Sequence, residues 1–252
     1  MFACRLVKYL FFLQMLPIKK TANPPAQRSI KMSCDKPLSN NIPRPLPQQC
    51  FRMLVIGAPG SGKTSLATSL LLKGGAYYRV FDRIFIIQPP NSRASYASDP
   101  WKGHNRVYDE LTAPVLEEIL EEVSALAADD KHSLIFIDDQ AMHLKDKHIE
   151  KQLRLAFFNA RHLHLSSIIV SQTLRSVGDK LRKSASHLLT FEPANRVEAK
   201  IIAEEFLFLD TKTAATLFQQ VFTEKYAHLL IDTAQRRVYG NWDEITLPKS
   251  WD

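Results

Sequence analysis

The segment from Gly57 to Thr64 constrains the fold of this chain more than any other. It reads GAPGSGKT and stands between the apolar run MLVI and the helix-like stretch SLATSLLLKG. Glycines at positions 57, 60 and 62 allow backbone angles that side chains forbid, so successive N–H groups can converge on phosphate oxygens at the start of a helix. The pattern therefore predicts a buried strand, a phosphate-binding loop and a helix in direct succession.

The last residues of this loop supply the chemistry of nucleotide binding. Lys63 brings a positive charge to the β- and γ-phosphates, and the hydroxyl of Thr64 is placed to ligate Mg²⁺. We therefore expect ATP and Mg²⁺ as cofactors. The expected nucleotide contacts come from Gly57, Ala58, Pro59, Gly60, Ser61, Gly62, Lys63, Thr64 and Ser65.

A second candidate element is the acidic pair at the end of SLIFIDD, residues 133–139. The unbroken apolar run is typical of a strand buried on both faces of a parallel sheet, and ligands bind at the carboxyl ends of such strands. Asp138 is then expected to hold Mg²⁺ through its water shell, and Asp139 to orient and polarise the attacking water. Taken alone, two aspartates after a strand also occur as a helix N-cap, but the phosphate-binding loop favours the catalytic interpretation.

A further buried strand is predicted from Ser167 to Ser171, and it ends in Gln172. If this strand neighbours the one carrying the acidic pair, the Gln172 amide can contact the γ-phosphate or the attacking water and report hydrolysis to the rest of the protein.

The remaining pattern alternates strands and helices, which predicts an α/β fold with a mainly parallel sheet and helices on both sides. Residues 226–240 resemble a closing β-hairpin. The other predicted elements are strands at 83–88 and 187–191 and helices at 114–126, 147–160, 197–206 and 211–220.

The charge is distributed unevenly. The formal net charge is +7, and the first 50 residues account for all of it, with eight Lys or Arg against one acid. They also hold seven of the 14 prolines and no glycine. This shift predicts a basic, Pro-rich flexible arm over residues 1–48 and a P-loop ATPase domain over residues 49–252.

The arm also contains the segments that bear on location. Residues 9–16, YLFFLQML, leave a targeting role and a plain unstructured tail as alternatives, but eight apolar residues cannot span a bilayer, which needs roughly 20. All three cysteines lie in the first 50 residues without metal-binding spacing, which favours a reducing, intracellular setting. We expect no stable transmembrane segment and no secretion signal.

Five segments, in this order, resemble the viral genome-packaging ATPases of the FtsK/HerA superfamily. They are FRMLVIGAPGSGKTSL, FDRIFIIQPP with DPW at 99–101, SLIFIDDQ, FFNARHLHLSSIIVSQ and DKLRKSASHLLTFEPANRVEAKIIAEEF. The similarity is to the poxvirus-type packaging ATPase, which Maverick/Polinton-like elements and virophages also carry, and it covers roughly residues 51–206. It implies a RecA-like fold of the ASCE type with additional strands. It also implies a homo-oligomeric ring that translocates double-stranded DNA into a preformed capsid, with a capsid or portal component as partner, in the host cytoplasm or nucleus or with the virion.

The resemblance carries roles to individual residues. Lys63 and Thr64 correspond to the nucleotide and Mg²⁺ residues, Asp138 and Asp139 to the acidic pair, and Gln172 to the sensor. The family usually has a glycine before the Arg-His pair, where this chain has an alanine, which affects the local turn.

Ring motors of this kind also place an arginine from one subunit against the γ-phosphate bound by its neighbour. Two residues are candidates here: Arg161, in the loop that enters the Gln172 strand, and Arg182, in DKLRKSA. We favour Arg161.

Other functions are compatible with parts of this pattern. A conjugation or chromosome-segregation DNA pump shares the motifs, but such pumps usually carry membrane or accessory domains beyond the 252 residues of this chain. A P-loop nucleotide kinase would not call for the acidic pair followed by glutamine at the next strand.

Overall fold

The computed structural model describes residues 37–247, and its centre is one nine-stranded sheet. The strands are β1 Arg52–Ile56, β2 Arg83–Ile87, β3 Val107–Tyr108, β4 Ser133–Asp138, β5 Leu165–Ser171, β6 His187–Phe191, β7 His228–Asp232, β8 Arg237–Gly240 and β9 Asp243–Ile245. The helices are α1 Lys63–Ser69, α2 Pro90–Ala94, α3 Ala113–Ala128, α4 Lys147–Phe158, α5 Asp179–Ser184, α6 Arg196–Ile201 and α7 Thr211–Val221.

Four of the seven helices in residues 37–247 begin where a side chain accepts from the free N–H groups of the first turn. Asp146, for example, accepts from the backbone N–H groups of His148 and Ile149 at the start of α4, at 2.8 and 3.1 Å. Thr112, Asn195 and Asp210 cap α3, α6 and α7 in the same way. The predicted helix at 197–206 is α-helical only to Ile201 and continues as a π-helix over Ile202–Leu207.

The sheet order is β3-β2-β4-β5-β1-β6-β7-β8-β9. The strands from β3 to β6 in this order pair in parallel, and β7, β8 and β9 add antiparallel pairs at one edge. The predicted mainly parallel sheet and the C-terminal hairpin are confirmed, and β9 extends the hairpin by one strand. Because β5 lies between β1 and β4, the strand ending in Gln172 separates the phosphate-binding strand from the acidic one.

The core lies on both faces of this sheet. In β1, Leu54 and Ile56 pack against a layer that includes α3, α4 and α7, whereas Met53 and Val55 pack against the layer of α1. Strands β4 and β5 are buried at every position, as expected for central parallel strands covered by helices on both sides.

Residues 37–51 run along the domain, and Ile42, Leu46, Pro47 and Phe51 are buried. Ile42 and Leu46 belong to the core layer on the α1 side. The hydroxyl of the fully buried Tyr77 donates to the carbonyl oxygen of Pro47 at 2.9 Å, and the ring of Phe51 stacks on that of Tyr77 with 5.2 Å between centroids. The division of the chain at residue 48 stays a prediction, because most of the predicted arm, with residues 9–16, lies outside the described residues. Between residues 37 and 247, no helix has the length and apolar character needed to cross a membrane.

These contacts predict that a chain lacking residues 1–48 is less stable than a chain lacking residues 1–36. Removal of residues 1–48 deletes Ile42 and Leu46 and leaves the Tyr77 hydroxyl without its acceptor, and burial of two such side chains contributes at least about 3 kcal/mol. We expect the chain lacking residues 1–48 to melt roughly 10 °C below the chain lacking residues 1–36, as measured by differential scanning fluorimetry. Equal melting temperatures for the two truncations would contradict this.

Candidate functional site

The loop between β1 and α1 has the backbone that its glycines predict, with one difference. Gly60 and Gly62 have positive φ angles of 78° and 93°, and Gly62 is the N-cap of α1. Gly57 does not have a positive φ. It is required for space instead, because a Cβ there would lie 2.5 Å from Ser61 Oγ and 3.1 Å from Phe191 Cβ. The expectation that all three glycines serve backbone angles is therefore wrong for Gly57.

The loop has features that fit a bound phosphate chain. Ser61 Oγ is buried and has no hydrogen-bond partner among the described residues. The Nζ of Lys63 lies 3.4 Å from the carbonyl oxygen of Ala58, so the ammonium group is held inside the loop. Burial lowers the pKa of Lys63, while the charges of Asp138 and Asp139 oppose that shift. An anion in the loop would stabilise this partly desolvated charge.

Thr64 and Asp138 meet across the site. The Thr64 hydroxyl donates to Asp138 Oδ1 at 3.2 Å, so the first turn of α1 is joined to the end of β4. A hydroxyl and a carboxylate are hard oxygen donors, and Mg²⁺ is usually held by one or two such side chains together with substrate phosphates and water. The donors present therefore fit the predicted Mg²⁺.

Asp138 is almost completely buried, and this governs its ionisation. Burial raises the pKa of Asp138 to about 6, while hydrogen bonds from Gln88 and Thr64 and the charge of Lys63 act against the increase. A cation at this carboxylate would favour its charged form.

Asp139 has a different environment from its neighbour. It lies beyond the end of β4, is exposed and has a left-handed φ of 55°. Its Oδ2 accepts from Ser92 Oγ of α2 at 3.0 Å. The acidic pair thus consists of one buried carboxylate and one that faces solvent.

One cavity of about 330 Å³ brings together the side chains predicted to act on the phosphates, the metal and the water. Its lining includes five residues that sequence analysis selected from three separate segments: Lys63, Thr64, Asp138, Asp139 and Gln172. Gln172 is exposed directly after β5. The carboxyl ends of parallel strands meet at one edge of the sheet, which explains why segments so far apart in sequence meet here.

The two candidate arginines lie elsewhere. Arg161 is exposed just before β5, at the amino ends of the strands, and lines a second cavity of about 480 Å³ together with Arg52 and Arg237. Arg182 is bound within its own subunit: its guanidinium donates to both carboxylate oxygens of Glu205, at 3.1 and 3.0 Å, and to backbone carbonyl oxygens of Leu174 and Val177.

Four residues around the acidic pair were not among the predicted site residues. Gln88 donates to Asp138, Ser92 donates to Asp139, and Trp101 donates to Gln88. Gln140 accepts from the backbone N–H of Leu111 at 3.0 Å and fixes the loop after the pair. Gln88, Trp101 and Gln140 belong to the segments IIQPP, DPW and IDDQ of the family resemblance, and Ser92 lies outside them. Nothing in the patterns indicated which side chains would meet.

The comparisons agree with this geometry. A family model described as Poxvirus A32 protein matches residues 43–238. The chain belongs to this family. The resemblance to viral packaging ATPases of the FtsK/HerA type and the prediction of an ATPase are thereby confirmed. No match was found among curated proteins.

Several solved structures are similar in fold over most of the chain. The DNA-packaging ATPase B204 from Sulfolobus turreted icosahedral virus has a TM-score of 0.58 at 17% identity, over 75% of this chain and 96% of that one. B204 of Sulfolobus turreted icosahedral virus 2 in complex with ATPγS has a TM-score of 0.56 at 14% identity, over 76% of this chain and 96% of that one. The conjugation coupling protein TcpA of pCW3 has a TM-score of 0.54 at 14% identity, over 85% of this chain and 69% of that one. At these identities the likeness shows the fold, and the predicted fold class is confirmed.

The raised pKa of Asp138 predicts a conflict between stability and function. The folded protein holds the proton on Asp138 more tightly than the unfolded chain does, because the pKa rises from 3.8 to about 6. Stability is therefore lost as the pH rises through this interval, by about 3 kcal/mol in total. We expect Asp138→Asn to raise the melting temperature of the nucleotide-free protein by several degrees at pH 7.5, and by roughly half as much at pH 5.

The matched control is Asp243→Asn, which changes an exposed carboxylate on β9. We expect no pH-dependent gain from it. A melting temperature of Asp138→Asn at or below that of the wild type at pH 7.5 would show that the ionised carboxylate is not a destabilising group.

Proposed function

We propose that this protein is an Mg²⁺-dependent ATPase whose homo-oligomeric ring translocates double-stranded DNA into a capsid. The observation that carries the proposal is the convergence of Lys63, Thr64, Asp138, Asp139 and Gln172 on one cavity, in a chain of the A32 family. A capsid or portal component is the expected partner.

Each side chain in the cavity has a position suited to its role. Lys63 lies in the loop where the β- and γ-phosphates bind and stabilises their charge. Thr64 and Asp138 hold Mg²⁺, which when bound neutralises phosphate charge. Asp139 is solvent-accessible and oriented by Ser92, as required of a carboxylate that polarises a water molecule. Gln172 lies at the end of the strand between the loop and the acidic pair, where it contacts the γ-phosphate or the water.

The position of Arg161 supports a role in the neighbouring subunit. β5 has seven residues, so roughly 20 Å separates the amino edge of the sheet from the cavity at its carboxyl edge. Arg161 therefore cannot reach the nucleotide of its own subunit. Burial and the adjacent charge of Arg161 both lower the pKa of Arg52, so an anion from a neighbour would relieve the repulsion between these two guanidinium groups.

Arg182 is less suited to act in trans. Its side chain is only 11% exposed, and its contacts with Glu205 are bidentate. Contact with a neighbouring phosphate would require these hydrogen bonds to break. We therefore assign the trans role to Arg161.

A DNA pump of the conjugation type is the alternative, because the fold is shared with the coupling protein TcpA. The A32 family match favours packaging over this alternative and over a nucleotide kinase.

Turnover with and without duplex DNA tests the motor. We expect DNA to stimulate ATP hydrolysis by the wild type. Asp139→Asn should lower kcat by about 100-fold or more with nucleotide binding retained, because a positioned base typically contributes that much. Lys63→Ala should abolish nucleotide binding, whereas Lys73→Ala, which removes an exposed lysine beyond α1, should have little effect. Turnover that is independent of DNA, or that survives the first two changes, would exclude this function.

Subunit mixing tests the arginine assignment. Arg161→Ala subunits retain a complete cavity, and Asp139→Asn subunits retain the arginine. Mixed rings should therefore recover part of the ATPase activity that both variants lack alone. Arg182→Ala should instead lower the melting temperature, since it leaves Glu205 without its partner. Recovery in the Arg182→Ala mixture but not in the Arg161→Ala mixture would reverse the assignment.

A further inference from the structure

The segments IIQPP and DPW contribute to the family resemblance, but the proposed chemistry does not use them. In the structure they meet at Asp138. Gln88, directly after β2, donates from Nε2 to Asp138 Oδ2 at 2.8 Å, and Trp101 donates from Nε1 to Gln88 Oε1 at 2.8 Å. Gln88 is fully buried and Trp101 is 2% exposed.

The direction of this chain of hydrogen bonds is fixed by chemistry. An indole N–H only donates, so the oxygen of the Gln88 amide must face Trp101, and its NH₂ group then faces the carboxylate. An ionised carboxylate only accepts, so Asp138 fits this arrangement in its charged form. A Gln88 amide turned by 180° would place its oxygen against Asp138 and its NH₂ group against the indole N–H, and both contacts would be lost.

The DPW turn holds the indole in place. The Asp99 side chain accepts from the backbone N–H of Trp101 at 2.9 Å, which forms a tight turn. The Trp101 ring packs on Phe136 of β4, with 5.5 Å between centroids. Phe136 precedes Asp138 by two positions on the same face of β4, so the indole packs against the strand that ends in Asp138.

A second contact ties the same amide to the phosphate-binding helix. The Tyr96 hydroxyl lies 3.2 Å from Gln88 Nε2 and 3.0 Å from Thr68 Oγ1 of α1. Thr64 donates to Oδ1 and Gln88 to Oδ2, so both oxygens of Asp138 are bonded and rotation of the carboxylate plane would break both contacts.

We propose that Gln88 and Trp101 are positioning residues for the Mg²⁺ site: Trp101 orients the Gln88 amide, and Gln88 fixes the Asp138 carboxylate so that Oδ1 stays directed at Thr64. The proposal rests on the proposed function, because it takes Asp138 and Thr64 as the residues that hold Mg²⁺. Partners that orient a metal-binding side chain typically contribute about 10- to 100-fold in metal affinity or activity.

Metal binding in the absence of turnover tests this directly. Mn²⁺, a paramagnetic substitute for Mg²⁺, is titrated in the presence of AMPPCP and followed by electron paramagnetic resonance. We expect Trp101→Phe and Gln88→Met to weaken Mn²⁺ binding by roughly tenfold or more, with metal-free AMPPCP affinity unchanged. Tyr77→Phe is the matched control, because it also removes a buried aromatic hydrogen-bond donor, to Pro47, away from the acidic pair.

The double variant Gln88→Met/Trp101→Phe separates positioning from stability. It replaces two polar partners by apolar ones, so it should recover part of the melting temperature lost by either single variant, as removal of both partners of a buried hydrogen bond is far less costly than removal of one. Mn²⁺ binding should remain weak, since Asp138 still lacks its donor. Gln88→Met alone provides the test if Trp101→Phe does not fold.

Introducing Trp101→Phe into the Asp138→Asn variant tests whether Trp101 acts through Asp138. In Asp138→Asn, the further change Trp101→Phe should not alter Mn²⁺ affinity. Two results would overturn the positioning role. One is wild-type Mn²⁺ affinity in both single variants. The other is a Mn²⁺ affinity that falls with the melting temperature in every variant, Tyr77→Phe included. If Asp138→Asn itself leaves Mn²⁺ binding intact, the proposed Mg²⁺ site is wrong instead.

Discussion

The buried carboxylate of Asp138 is the interaction on which the rest of the site depends. An aspartate removed from water at the end of a central strand is costly unless hydrogen bonds and opposite charges compensate for the lost hydration. Here Thr64 contributes one hydrogen bond from α1, Gln88 contributes another from the end of β2, and the charge of Lys63 acts in the same direction. The hydrogen bonds that the buried Asp138 carboxylate needs therefore join the phosphate-binding loop, β2 and β4 into one unit.

The sheet topology decides which groups can share a subunit's cavity. Because β5 lies between β1 and β4, the ends of β1 and β4 are about 10 Å apart. Gln172, at the end of β5, lies midway between them. The same parallel arrangement places the residues that precede each strand at the opposite edge, where Arg52 and Arg161 lie together. On the proposed assignment, an arginine at that edge could act only on the nucleotide of another subunit, so the assignment requires a homo-oligomer.

Sequence reasoning succeeded where a local pattern has a single structural solution. The glycine loop, the apolar runs of β4 and β5 and the polar residues at their ends fixed the architecture and placed Lys63, Asp138 and Gln172 on one edge. Short elements such as α2, β3 and β9 were missed because they are too brief to show periodicity. The Trp101–Gln88–Asp138 chain was also missed, since its members are 13 and 50 residues apart in sequence, and only tertiary packing brings them together.

The acidic pair illustrates how two identical neighbours come to lie in different environments. In a regular strand, consecutive side chains point to opposite faces, so two aspartates in β4 would not line the same cavity. The strand ends at Asp138, and the left-handed φ of 55° at Asp139 turns the second carboxylate toward the same cavity. Aspartate adopts this conformation more readily than most residues. The departure from strand geometry at Asp139 thus places a buried carboxylate and a solvent-exposed one side by side, an arrangement that neither a longer strand nor an earlier turn would produce.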